Sequence, residues 1–310
     1  MTDGSSEHLY YRHSGSFSLS GAFFSLCIGL LAGAPMAWLY ARFIHWDPFI
    51  YFNALACCLF GALVGGVSEQ CLISFKCRNV VMAFLVAMLA ALGSYYLSWA
   101  VWLHTVINKV SITEFLRPAY MLGGMLAVNE HGVWTYHGSD VKGVMLWGLW
   151  VAEAGVMLGC ACYFATHEML ESTFCEGCET WAKEQKGTCT VAAPTPPVEE
   201  LSKIKGYRSF IKGLKAHAAE LKQRLENKDL AYLEQLGPVP PGAIAWYRFD
   251  LNSCPKCSMT NTLRVTQLRH KVEGKKVRRD TEDKEVLRQL RLSSGEVEAL
   301  RKLGQKPATG

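Results

Sequence analysis

The sequence predicts a membrane all-α bundle of four transmembrane helices, followed by a C-terminal cytoplasmic α+β domain. Three observations predict it. Four apolar stretches, at about residues 17–43, 49–67, 80–107 and 144–167, each approach or exceed the roughly 20 residues that cross about 30 Å of hydrocarbon. Charge is divided along the 310-residue chain: residues 1–167 carry 7 of its 32 Lys and Arg, and the remainder carries 25 against 19 Asp and Glu. Two Cys-x-x-Cys pairs follow the last apolar stretch, Cys175 with Cys178 and Cys254 with Cys257.

Residues 1–16 are polar and rich in Ser and His, and read as a disordered tail. No cleavable leader is expected, because the first apolar run is of full span length. That run contains Pro35, which removes an i−4 hydrogen bond and should kink the helix. Gly29 and Gly33 form a GxxxG, as do Gly61 and Gly65 in the second span. Such spacing lets helices approach closely in lipid, within one bundle or between copies in an oligomer. Residues 68–79 contain Glu69, Lys76 and Arg78 and read as a polar turn. The third span carries Trp99 and Trp102 near its far end as interfacial anchors.

Loop 109–143 is too polar to cross a bilayer. Pro118 can start a short helix there and Gly132 can end it, with residues 133–140 forming a small turn or hairpin. The loop reads as a connector lying against the bilayer or bundle, with a lid as the alternative. Four spans put both termini on one side. Lys and Arg are nearly balanced across the membrane, so orientation rests on the paired cysteines, which persist as thiols in the cytoplasm. The chain as a whole looks like a bacterial multi-pass protein of the inner membrane.

Residues 168–310 form the soluble domain. Residues 183–198, with APTPP, read as a flexible linker. A helical insertion occupies 199–236: Leu201, Ile204, Phe210, Ile211, Leu214, Leu221 and Leu225 recur at helical intervals, and a break near Asn227 begins a second short helix. The segments AIAWYRFDL and NTLRVTQLRHKV read as strands on either side of CPKC, with a further strand at 285–292. A last helix, 296–303, is capped by Ser293 or Ser294.

Of twelve cysteines, Cys27, Cys57, Cys58, Cys71, Cys77, Cys160 and Cys162 lie in or beside apolar runs. There Cys behaves as a small buried apolar residue. Cys189 is expected to be exposed, or to replace one metal ligand. Cys175, Cys178, Cys254 and Cys257 are the candidate metal ligands, since two thiolate knuckles complete a tetrahedral site. With Pro255 and Lys256 between the second pair and strands on both sides, this region resembles the zinc-ribbon class. The resemblance implies a structural Zn²⁺; iron in a rubredoxin-like Cys₄ site is chemically equivalent at this level. The 75 residues separating the knuckles depart from the roughly 15–20 of a common ribbon and require the helical segment to be an insertion. Lys256 could lower a neighbouring thiol pKa, which keeps a redox role open.

Glu153 lies near the middle of the fourth span, where a carboxylate is costly and faces a bundle interior, a partner or water. Counting from the interface sets it level with Gly33, Cys58 and residues 95–98, so Tyr95, Tyr96 or Ser98 is the expected hydrogen-bond donor. It reads as a protonated packing residue, with a proton- or ion-linked site as the alternative. Arg264, Arg269, Lys271, Lys275, Lys276, Arg278 and Arg279 could line one face of a hairpin toward an anionic partner. Nucleic acid and anionic lipid headgroups both fit that description, and nucleic acid is not favoured. No Walker loop, His-Glu-x-x-His or nucleophile elbow is present, so no enzyme activity is expected. The pattern points to a membrane-anchored zinc-binding docking or regulatory module with a protein partner. A transporter or channel-like component gated by its zinc domain is the alternative, and a membrane thiol oxidoreductase comes third.

Overall fold

A computed structural model describes residues 8–46, 50–132, 135–136, 139–195, 204–273 and 276–305. They divide into two units: residues 14–171, and residues 172–310 together with the N-terminal segment before Ser14.

The first unit contains four helices long and apolar enough to cross a membrane. These are α1 (Leu19–Trp46), α2 (Ile50–Ser74), α3 (Val80–Ile107) and, after the connecting loop, α6 (Val144–Glu171). At 1.5 Å per residue a 28-residue helix such as α3 spans about 42 Å. Helix α2 packs on α6, and α1 packs on α3 and α2. The seams are built from small side chains, with Ala37, Ala83, Ala87, Ala90, Ala161 and Ala165 fully buried. Both GxxxG pairs lie in these seams. A Cβ on Gly61 would sit 2.3 Å from the Met157 carbonyl oxygen, and one on Gly65 the same distance from that of Ala161. Gly29 and Gly33 meet Ser68 and Ser94. Both spacings make close contacts within one chain.

Helix α1 is continuous through Pro35, and one expectation for this unit changes. The polar turn expected at 68–79 is mostly helix: α2 continues to Ser74 because its polar groups find partners. Ser68 donates to the Val64 carbonyl at 2.8 Å, and the Glu69 carboxylate accepts the Glu168 N–H at 2.9 Å. Asn79 then caps α3, accepting the Met82 N–H at 2.9 Å.

The loop 109–143 holds α4 (Ile112–Phe115) and α5 (Pro118–His131), started by Pro118 and ended at Gly132 with φ +81°. Strands β1 (Thr135–Tyr136) and β2 (Ser139–Asp140) pair as a small hairpin. Phe115, Met121 and Val128 are buried in one cluster with Trp99, Leu103 and Leu146. The loop thus packs on the bundle.

The second unit has a short hairpin, β3 (Phe174–Cys175) with β4 (Thr180–Trp181), and a four-stranded antiparallel meander. The meander runs β5 (Lys183–Ala192), β6 (Ala245–Ser253), β7 (Asn261–Glu273) and β8 (Lys276–Leu292). Period-2 alternation puts Ala245, Tyr247, Phe249 and Leu251 on one fully buried face. Helix α7 (Ile204–Glu226) covers it with Phe210, Leu214, Leu221 and Leu225, joined by Leu233 of α8 (Ala231–Leu236) and by Val297 and Leu300 of α9 (Ser294–Gln305). Each such large side chain removed from water contributes about 1.5–3 kcal/mol. Ser293 caps α9 reciprocally: its hydroxyl accepts the Glu296 N–H at 3.3 Å, and the Glu296 carboxylate accepts the Ser293 N–H at 2.6 Å.

Here too the structure differs from expectation. Of the linker expected at 183–198, residues 183–192 are strand β5, paired with β6. A β-bulge between Gln185 and Cys189 admits it, with Gly187 at φ +66° donating its N–H to Asp250 at 2.7 Å. Cys189, expected to be exposed, is buried in the core. The tail expected to be disordered at 1–16 is anchored where it is described. Tyr10 bridges Leu290, the Tyr11 N–H donates to the Gln289 carbonyl at 2.9 Å, and Tyr11 is buried. An open strand edge recruits backbone donors and acceptors regardless of the side chains that flank them. Residues 1–7 and 196–203 lie outside the described residues.

Candidate metal centre

The four cysteines separated by up to 82 residues of chain converge. Their Sγ atoms all lie within 4.8 Å of one another, an arrangement that could hold a metal ion. Cys175 and Cys178 bracket the turn between β3 and β4; Cys254 and Cys257 bracket the turn between β6 and β7. Strand β5 holds the two turns together, since it begins one residue after β4 ends and its Lys183 pairs with Ser253 beside Cys254.

The two knuckles share a backbone solution. The residue after the second cysteine is left-handed in each, Glu179 at φ +48° and Ser258 at φ +53°. Neither is glycine, although that conformation costs an L-residue roughly 1–2 kcal/mol. The reversal brings the chain back in register: Cys175 pairs with Thr180, and the Cys254 N–H donates to the Thr260 carbonyl at 3.0 Å. It also turns donors onto sulfur. The Met259 N–H lies 3.5 Å from the Cys257 Sγ, and the Thr260 hydroxyl lies 3.2 Å from the Cys175 Sγ.

The donor set fits a tetrahedral thiolate-bound ion. Zn–S bonds of about 2.3 Å at tetrahedral angles put sulfurs about 3.8 Å apart, and Cys175 and Cys257 have an Sγ–Sγ separation of 3.7 Å. Burial pushes the Cys254 thiol up, but the backbone N–H groups of Cys257 and Lys256 and hydrogen bonds from the Cys257 and Cys175 thiols outweigh it, bringing Cys254 to about 6. Cys178 is pushed up to about 12, first by its hydrogen bond with Cys257 and then by burial and the other two thiols. Within the cluster the thiolate is favoured at Cys254 and the thiol at Cys178. Lys256 acts on this site differently from expectation: its backbone N–H favours the Cys254 thiolate, while its ammonium donates to the Cys178 carbonyl at 3.3 Å.

The described members of the basic strip face carboxylates. Arg264 lies 3.7 Å from Glu184 and 4.0 Å from Glu285, Arg269 pairs with Glu282, and Lys271 lies 3.9 Å from the same Glu282. These partners are not legible in the sequence because the acids come from β5 and β8, whose pattern suggests a linker and only part of a strand. Lys275, and the side chains of Lys276, Arg278 and Arg279, lie outside the described residues.

Glu153 is not served by the expected donors. Tyr95 donates to the Trp150 carbonyl at 3.4 Å, Tyr96 to that of Leu116 at 3.1 Å, and Ser98 to that of Tyr95 at 2.7 Å. The donor is Tyr40 of α1, whose hydroxyl also lies 2.9 Å from the Cys57 Sγ of α2. Counting levels from span ends inherits the error in those ends, and α1 runs past the boundary expected for it.

Comparison of the chain with protein-family models, curated proteins and solved structures gave no match.

Proposed function

We propose that the protein is a membrane-anchored docking or regulatory module whose C-terminal unit is a zinc-ribbon-like domain facing the cytoplasm, in a bacterial inner membrane. The convergence of four sulfurs from two β-turns carries the reading. Zinc closes such a site with four protein ligands and leaves no position for substrate, so its role is structural. Both Cys-x-x-Cys pairs occupy β-turns, whereas a redox pair sits at a helix start in a βαβ setting. This disfavours the oxidoreductase reading. Four apolar helices precede the domain in the chain and supply the anchor. At the tip of the second knuckle Met259 is 77% exposed, beside exposed Pro255 and Lys256.

Metal analysis of the full chain, purified in lipid nanodiscs, tests the reading. We expect about one zinc per chain, lost in Cys254→Ser and in Cys175→Ser, and a co-purifying membrane partner lost with it. Iron in place of zinc would change the metal and keep the module. A metal-free chain whose cysteines cycle between thiol and disulfide would sink the proposal.

A further inference from the structure

The helical unit holds a partly open cavity of ≈ 680 Å³. Pockets of about 300–1,000 Å³ hold drug-sized ligands. Its wall has two chemistries. Three indoles form the apolar part: Trp99 packs edge-on against Trp150 at 4.8 Å between centroids and against Trp102 at 5.4 Å. Each of the three is 8% exposed. The polar part includes the carboxylate of Glu153 and the amide of Asn53. Glu153 lines the cavity with one described donor, the Tyr40 hydroxyl, which leaves most of its lone pairs open. Asn53 lines it too, and its Oδ1 is buried with no hydrogen-bond partner among the described residues. Among the described lining residues none is Lys or Arg, and His45 is the one basic side chain.

We propose that this cavity binds a protonated amine with an apolar body about the size of a fused ring pair. A carboxylate among apolar walls must be neutralised or paired. An ammonium group supplies the missing charge and also N–H donors for Glu153 and Asn53. Indoles attract cations through the ring quadrupole and bury the ligand's apolar remainder. A neutral lipid chain would fill the volume but leave the orphaned acceptor unmatched. A hard metal cation needs several oxygen ligands and would leave the indole wall without a role. The site belongs to the helices and stands independently of the metal centre.

The test uses the full chain in nanodiscs with two probes of nearly equal shape, 2-(naphthalen-1-yl)ethylammonium and 2-(naphthalen-1-yl)ethanol, read by calorimetry against protein-free nanodiscs. The expected result is one saturable site for the ammonium, about tenfold or more tighter than for the alcohol. Glu153→Gln should erase that preference while leaving the alcohol unchanged. Equal affinity of the two probes, or an ammonium signal no larger than partition into empty nanodiscs, would overturn the proposal. An undiminished preference in folded Glu153→Gln would do the same. The probe pair on the unmodified chain decides the matter even if the variant fails to fold.

Discussion

The two units are packed inside-out relative to each other. Among the described residues, large apolar side chains left exposed belong almost wholly to the helical unit, where Leu19, Trp46, Val144 and Val151 are between 70% and 89% exposed. In the other unit Leu9 and Met259 are the described exceptions. Conversely, the C-terminal unit buries Tyr247, Phe249, Leu251 and Leu263 completely, while the helical unit, beside Leu72, Leu103, Leu146, Met157 and Met169, buries many Ala, Gly and Ser in its seams. Water drives the first arrangement by expelling apolar area. For helices set in lipid, as proposed, hiding Leu from a surrounding as apolar as Leu gains nothing, and close approach of backbones takes over.

Deleting a large side chain should separate the two regimes most strongly. Phe249→Ala in the sheet core should cost about 3–5 kcal/mol, read as lost amide protection across Ala245–Ser253. Leu63→Ala on the exposed side of α2, 51% exposed, should stay within about 0.5 kcal/mol. A comparable loss at Leu63 would break the comparison.

Adding one methyl should do the reverse. In Gly65→Ala the new Cβ meets a backbone carbonyl rather than a side chain that can swing away. The helices must part, at about 1–3 kcal/mol, seen as accelerated thermal unfolding of the bundle in nanodiscs. An unchanged bundle would show that its packing is looser than these seams imply.

The smallest effect concerns proton linkage in the water-driven core. Gln267 donates to the Tyr247 hydroxyl at 3.2 Å, Tyr247 lies 2.9 Å from His217 Nδ1, and Tyr232 lies 3.3 Å from its Nε2. With Tyr247 donating to Nδ1, the network assigns the neutral Nε2–H tautomer. Burial lowers the His217 pKa, partly opposed by the Glu220 carboxylate. Between the folded value and the unfolded value of about 6.5, the unfolded chain binds more protons. Stability is therefore full above that range and declines as pH falls through it. His217→Gln should flatten the decline in amide protection of β6; an unaltered slope would assign it to other groups.

How much of this was legible in the chain varies by element. The four long helices, the loop helix from Pro118 to Gly132 and the Ser293 cap could be read because their signals are local: apolar length, a proline at N1, a glycine at C′, a Ser with Glu three residues on. Strand β5 could not, because KEQKGTCTVA carries little alternation and is fixed by β6, more than fifty residues later. Tyr10 and Tyr11 were equally opaque, since their partners lie about 280 residues away on β8.

The sequence by itself determined the chemistry on offer: four thiols in two pairs, a carboxylate in the middle of the fourth apolar stretch, and helices long enough to span. Only the tertiary structure decided which groups meet. It set Tyr40 rather than Tyr95 on Glu153, opposed Arg264 and Arg269 with acids from neighbouring strands, and brought the two cysteine pairs together. The reason is one of range. Residue type and spacing act over a turn of helix or a few residues of strand, whereas pairing across the chain is settled by strand register and helix seams that no local pattern encodes.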